Sequence, residues 1–380
     1  MKNNKIGIIT FHRSYNCGSI MQAYAMQKVL KEKYDLTPEF INFSNKGQQE
    51  LYAIFDKKLS IKNLAKNIIK APFYVLLKDN NKSYEEYINR NLLLSKDYSE
   101  LAELKEIELG YDLYLAGSDQ VWNITIQDGD DAYFLPFVQD HPKIAYAVSQ
   151  GARDIIEHTN NPAKYKQMIN DFDFLSVREP NGQKWLKDGF NINSEITLDP
   201  TLLLDSMDYT DAEEQTNENL GSNQYIFIYA TKINKEFERI IRNVAKKEGL
   251  KIVIWQPDTW LKILGWSKGY VLPKAQNPGK YLTLIKNAKY VFTASFHGVV
   301  FAAQYRKNFW VLANDGMNNN KDDRILSLLH NFKLTNRLLK SEEKTKDISK
   351  APDYSCFESK ILINRERSFN FLKRAIKKNE

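Results

Sequence analysis

Cysteine is scarce in this chain. There are two, Cys17 and Cys356, and neither belongs to a CxxC pair. That argues against a disulfide frame and against a thiolate zinc site. Long apolar runs are missing too: nothing approaches the roughly 20 residues of a membrane span. The N-terminal stretch Ile6–Phe11 is stopped by His12 and Arg13 and is too short for a signal-peptide core, so a cytoplasmic protein is expected. No GxGxxG occurs, and a dinucleotide is therefore not expected. Nor is there a zinc-finger or RNP-like pattern, which leaves no reason to expect a nucleic-acid partner. No internal repeat or low-complexity tract is present. Neither sign of charge dominates, since 54 Lys and Arg face 47 Asp and Glu for a net +7. An excess of that size favours acidic small molecules or an anionic surface.

What is present is an α/β alternation. The chain has 380 residues, which suits two α/β domains better than one. Short β-branched and aromatic runs read as strands at 5–11, 38–43, 111–117, 143–149 and 172–178, then at 224–230, 251–256, 289–295 and 308–314. Helical patterns follow several of them, as in GSIMQAYAMQKVLKEKY, NKEFERIIRNVAKKEG and GVVFAAQY. Such alternation predicts doubly wound parallel sheets. The polar, Asn-rich stretch 207–224 reads as a linker. It divides the chain into a Rossmann-like domain at 1–206, a second at 225–350, and a basic amphipathic C-terminal helix within 351–380 that packs across. That helix has Phe357, Ile361, Leu372 and Ile376 on one side. Two such domains leave a cleft between them.

A basic insertion interrupts the first domain at 51–92. Ile54, Leu59, Ile61, Leu64, Ile68 and Phe73 fall at near-helical spacing, with seven lysines interleaved from Lys57 to Lys82. The simpler reading packs the apolar face on its own domain. The other lays it on an anionic membrane surface, or against an anionic lipid-linked substrate.

Chemistry-bearing residues gather at strand ends. After the first strand, Asn16 and Gly18 suit a tight turn with positive φ, and Ser19 is placed to cap a helix from Ile20. A helix N-terminus there offers an anion site, or the turn is purely structural. Cys17 reads as a small buried side chain. Gly117 and Ser118 turn the chain at Asp119, which can orient a sugar hydroxyl or take its proton while Trp122 stacks on a ring. Alternatively, Asp119 caps the next helix and Trp122 is core. Arg178 suits bidentate recognition of a carboxylate or phosphate, unless it belongs to a surface salt network with Glu179. Asp199 precedes Pro200 and reads as the fixer of a turn. His297, between an apolar strand and an apolar helix, can serve as an acid or base near pH 7. Arg324 and Lys321 follow in a loop that can reach the same cleft.

The motifs NCGSIMQAYA, AGSDQVW, SVRE, DPTLLL and SFHGVVFA, in this order over about residues 5–330, resemble the polysaccharide pyruvyl transferase family. The resemblance implies a two-domain fold like the GT-B glycosyltransferases. It also implies transfer of the enolpyruvyl unit of phosphoenolpyruvate to a sugar as a pyruvate ketal, in exopolysaccharide or other cell-surface polysaccharide biosynthesis. The acceptor would be a glycan or a lipid-linked saccharide, reached from the cytoplasm, either in solution or at the inner face of the membrane. Phosphoenolpyruvate is then a substrate, with no cofactor and no metal required. On that likeness His297 is the acid, Arg178 holds the donor's anionic end, and Asp119 is a base on the acceptor side. Gly298 and Ser118 belong to the same motifs. Many members carry Arg two residues before the His, where this chain has Ser295. Losing that contact is worth roughly 1.5–3 kcal/mol; either Arg324 or Lys321 replaces it, or the donor differs. A GT-B-like glycosyltransferase using a nucleotide-sugar is the alternative, and a glycan- or membrane-binding module without chemistry is a third reading.

Overall fold

The computed structural model describes residues 4–57, 60–216, 218–313, 317, 323–341 and 346–377. The β-branched and aromatic runs form two parallel sheets. The first contains β1 (Lys5–Ile9), β2 (Thr37–Phe43), β3 (Leu94–Tyr98), β4 (Leu113–Ala116), β5 (Lys143–Val148), β6 (Phe174–Val177) and β7 (Glu195–Ile196). The second contains β8 (Tyr225–Tyr229), β9 (Lys251–Ile254), β10 (Tyr290–Thr293), β11 (Asn308–Leu312) and β12 (Leu338–Leu339). Their orders are β3-β2-β1-β4-β5-β6-β7 and β12-β11-β10-β8-β9, two Rossmann-like sheets with flanking helices.

Each order reverses once, between β1 and β4 and between β8 and β10. At such a switch point the connections leave toward opposite faces and open a crevice beyond the carboxyl ends of the strands. The register brings those ends level: Ile9 pairs with Ala116, and Tyr229 with Thr293. Apolar packing continues from one sheet to the other. One buried cluster runs from Ile8 of β1 through Met21 and Tyr281 to Phe227 of β8, and this shared core keeps the two crevices facing each other.

The Cys17–Tyr34 helix starts earlier than the sequence suggests. Its cap is Asn16, in extended backbone at φ −125°, whose side chain accepts from the N–H groups of Gly18 and Ser19. Neither Asn16 nor Gly18 has positive φ. Ser19 is thereby released from capping. The stretch read as a linker is also packed: Tyr209, in a turn of 3-10 helix over Ser206–Ala212, is fully buried. The Ser355–Lys377 helix spans both halves, with Phe357 against Phe332 and Phe371 against Tyr146.

The basic insertion departs from its simpler reading. Its Tyr74–Asn91 helix packs inward through Leu77, Tyr84, Tyr87 and Ile88. Its Ile61–Lys70 helix, capped by Ser60, buries no residue. Polar side chains made the inward contacts instead, so the apolar side was left outside. Leu59 lies outside the described residues. Among those described, no helix is long and apolar enough to cross a membrane.

His12 sits in the turn after β1, fully buried, with Nδ1 3.1 Å from the Thr10 carbonyl and Nε2 3.2 Å from Asn42 Oδ1. Burial, aided by nearby Arg13 and opposed by the two hydrogen bonds, pushes its pKa down to about 4. An unfolded chain takes up this proton near pH 6.5, so stability is full above that pH and falls as pH drops toward 4. The loss reaches about 3 kcal/mol at most. Urea unfolding at pH 7 and pH 4.5 should show it, and His12→Asn should flatten the difference. An equal acid loss in the variant would place the sensitivity elsewhere.

Candidate active site

The residues that close the cleft all follow strand ends. Asn16 and Ser19 come after β1, Asp119 after β4, Arg178 after β6, Asp199 after β7, and Ser295 and His297 after β10. All but Asp199 border a cavity of about 540 Å³ between the two sheets, with Arg178 and Asp119 on one wall and Ser295, His297 and Arg324 on the other. Asp199 lies just behind this cavity and lines a smaller one, of about 270 Å³, on the far side of Arg178.

Asp199 holds the arrangement together. It is 1% exposed, and its Oδ2 accepts from Arg178 Nη1 at 2.9 Å and stands 3.4 Å from His297 Nε2. Its Oδ1 accepts from the Thr201 hydroxyl and backbone N–H. Burial would push this carboxyl up, but His297, Arg178 and Thr201 together bring it below the usual carboxylate range. His297 Nε2 is buried and makes no well-aligned hydrogen bond. Arg178 also donates through Nε to Glu179 Oε1 at 2.6 Å, and its guanidinium lies 4.2 Å from the centre of the Phe296 ring. Asp119 Oδ1 is 3.9 Å away. Arg178 is thus buried among three carboxylates, which replaces the surface salt network as a reading of SVRE.

Asp119 adopts φ 77°. Its carboxylate accepts from Ser19 Oγ and from the Gln120 N–H, holding it against the first turn of the Cys17–Tyr34 helix. It caps no helix. Asp128 faces the same cavity, and burial pushes its carboxyl up, with Asp119 adding to the effect.

Contacts between the domains also complete the site. Tyr229 of β8 donates its hydroxyl to Asn16 Oδ1 at 3.3 Å. Gly18 packs so tightly on the imidazole that a Cβ there would lie 2.1 Å from His297 Nδ1. Ser295 caps the Phe296–Gln304 helix, its Oγ 3.5 Å from the Gly298 N–H. Gly298 in turn backs onto Thr293, whose hydroxyl a Cβ would strike. Two helix N-termini from opposite domains, Cys17–Tyr34 and Phe296–Gln304, therefore converge on one cavity. Together they favour an anion.

Most residues singled out in the sequence meet here: Asn16, Gly18, Asp119, Arg178, Ser295, His297 and Arg324. Ser118 does not reach the cleft. It is fully buried, gives its N–H to Gln22 Oε1 and donates its hydroxyl to the Ala147 carbonyl, with Asp199 Oδ2 a second, longer acceptor at 3.3 Å, so it backs the Asp199 carboxylate rather than lining the cavity. Lys321 lies outside the described residues. Trp122 is core, stacked on Phe134 at 5.1 Å, so it is no platform for a sugar. Cys17 is fully buried beside the Tyr84 hydroxyl, and burial pushes its thiol up. The sequence marks Asp199 only as the fixer of a turn. It does fix it, through Oδ1 and Thr201, but its other oxygen joins Arg178 and His297, a role that neither the DPT turn nor the DPTLLL motif signals. Among the described residues, no group of three or more His, Cys, Asp or Glu side chains is arranged to hold a metal ion.

Fold and site together define a two-domain Rossmann-like protein whose polar residues converge where both switch points face. The profile described as Polysaccharide pyruvyl transferase matches residues 16–316; the chain belongs to that family. No curated protein matches significantly. Among solved structures, Staphylococcus aureus MnaA with UDP is 16% identical with a TM-score of 0.49, covering 98% of this chain and 91% of its own. A Listeria monocytogenes protein described as a putative UDP-N-acetylglucosamine 2-epimerase is 14% identical at 0.49, over 87% and 88%. The Escherichia coli heptosyltransferase WaaC is 12% identical at 0.39, over 82% and 89%.

Gly18→Ala sets two effects against each other. Helix propensity alone would stabilise by about 1 kcal/mol, whereas the clash with His297 should cost about 1–3 kcal/mol. The variant should melt lower than the wild type in a thermal scan. A higher melting temperature would mean that the imidazole is not seated against this helix.

Proposed function

We propose that this family member transfers the enolpyruvyl unit of phosphoenolpyruvate to a glycan or lipid-linked saccharide, forming a pyruvate ketal and releasing phosphate. The observation that carries the reading is His297 at a helix N-terminus, tied through Asp199 to Arg178 within a cavity that two helix N-termini face. Phosphoenolpyruvate bears a carboxylate and a phosphate, and both suit such a cavity. His297 gives a proton to the methylene carbon, leaving C2 cationic. One sugar hydroxyl bonds to C2 and loses its proton to a base, for which Asp119 is the candidate. The C2–O bond to phosphate then breaks, and the second hydroxyl bonds to C2 and passes its proton to the departing phosphate. Asp128, which faces the same cavity, would accept from an acceptor hydroxyl. Arg178 positions the donor and, through Asp199, the imidazole.

One observation favours a second reading, a glycosyltransferase with a nucleotide-sugar donor. Arg178 is already matched by Glu179 and Asp199, and Ser295 supplies no further cation. Calorimetric titration separates the two. Phosphoenolpyruvate should bind the wild type and bind His297→Ala at least tenfold more weakly, a difference of about 1.4 kcal/mol. Phosphate release with a saccharide acceptor should follow the same order. Stabilisation by nucleotide-sugars, with none by phosphoenolpyruvate even beside an acceptor, would overturn the first reading in favour of the second.

A further inference from the structure

The Ile61–Lys70 helix is inside out. Successive residues are turned by 100° about a helix, so Ile61, Leu64, Ala65 and Ile68 share one side, with Ile69 next to it. Asn63, Asn67 and Lys70 occupy the other, and that polar side faces the protein. Asn67 accepts from the Asp56 N–H and donates to the Asp56 carbonyl. Lys70 pairs with Asp258 at 3.2 Å, and Lys66 with Asp56 at 3.6 Å. The apolar side faces outward, Ile61 being 91% exposed, Leu64 60% and Ile68 64%. Val75, in the next helix, adds another exposed aliphatic, and Phe55 stacks on Tyr74 nearby.

The surrounding charge says what covers this side. From Lys57 to Lys82 there are seven lysines and one acidic residue, Asp79; Lys66, Lys70 and Lys82 pair with Asp56, Asp258 and Glu86, and Lys57, Lys62 and Lys78 are the described lysines that remain to border the apolar side. A second copy would bring like charge against like charge. An apolar stripe bordered by cations fits a surface that is negative outside and apolar beneath. At ten residues the helix is too short to span.

We infer that this helix docks the protein on an anionic lipid bilayer, with Ile61, Leu64 and Ile68 entering the acyl boundary and Lys57 and Lys62 at the level of the lipid phosphates. Its placement links the bilayer to the site. A cavity of about 380 Å³, bordered by Lys70 at the helix end, Tyr15 and Asn80, shares Tyr52, Thr231 and Gln256 with the central cleft. A saccharide held on a lipid at the docked surface has this way in. The docking itself does not depend on which donor the cleft takes.

Sedimentation of the full chain with vesicles tests the docking. The protein should pellet with phosphatidylglycerol–phosphatidylcholine vesicles and at least tenfold less with phosphatidylcholine alone. The double variant Leu64→Glu, Ile68→Glu should lose the binding while keeping the wild-type melting temperature, because both side chains are exposed. No pelleting by the wild type, or equal pelleting by the variant, would overturn the inference. So would a dimer in vesicle-free solution that the variant converts to monomer, which would assign the face to a second copy. Phosphoenolpyruvate binding is read separately, so a failure of either proposal leaves the other standing.

Discussion

The buried carboxylate of Asp199 reaches both Arg178 and His297, and the cleft is organised around it. Arg178 comes from the first sheet and His297 from the second, so this one group couples the two domains electrostatically. Removing one partner from a buried ion pair generally costs about 3–5 kcal/mol, although the intact pair adds little to stability. Such a network therefore serves position more than stability. It keeps the guanidinium and the imidazole in one place before any ligand arrives, which lowers the cost of ordering them on binding.

That preorganisation depends on backbone features of small extent. Gly18 lets the first helix of one domain touch the imidazole of the other, and Gly298 lets the second helix start close to Thr293. Asn16 caps the first helix and also receives the Tyr229 hydroxyl. The capping and the domain contact thus share one side chain. Because Asn16 takes the cap, the Ser19 hydroxyl is left to hold Asp119.

Much of the fold was legible because buried parallel strands are short, β-branched and aromatic. KIGII, YIFIY and YVFT stand out on those terms. LSKDY of β3 did not, because it lies at a sheet edge and its three consecutive polar residues show no strand alternation. The two-residue strands β7 and β12 are too short to give a period. In the site, His297, Arg178 and Asp119 were legible because each ends an apolar run, and five motifs in order pointed to the family. Asp199 was not, because its partners are distant in the chain and an Asp-Pro turn already has a local explanation. The Ile61–Lys70 helix showed its amphipathic period but not its direction. Periodicity reveals that two sides differ, and only tertiary contacts decide which one turns inward.

The Ser355–Lys377 helix has a consequence for how the cleft can work. The chain passes from the first sheet to the second near Ser206–Ala212, then returns along this last helix, whose Arg365 donates to the Leu202 and Leu204 carbonyls. The outgoing and returning segments are therefore fastened to each other at one edge. A pair of domains tied this way resembles a book bound along its spine. The 51–92 insertion fastens the two halves a second time, where Ser83 donates to the Ala275 carbonyl, the Gln276 N–H donates to Asn80 and Phe73 packs on Trp260, so cutting the returning segment would leave the covers still clasped.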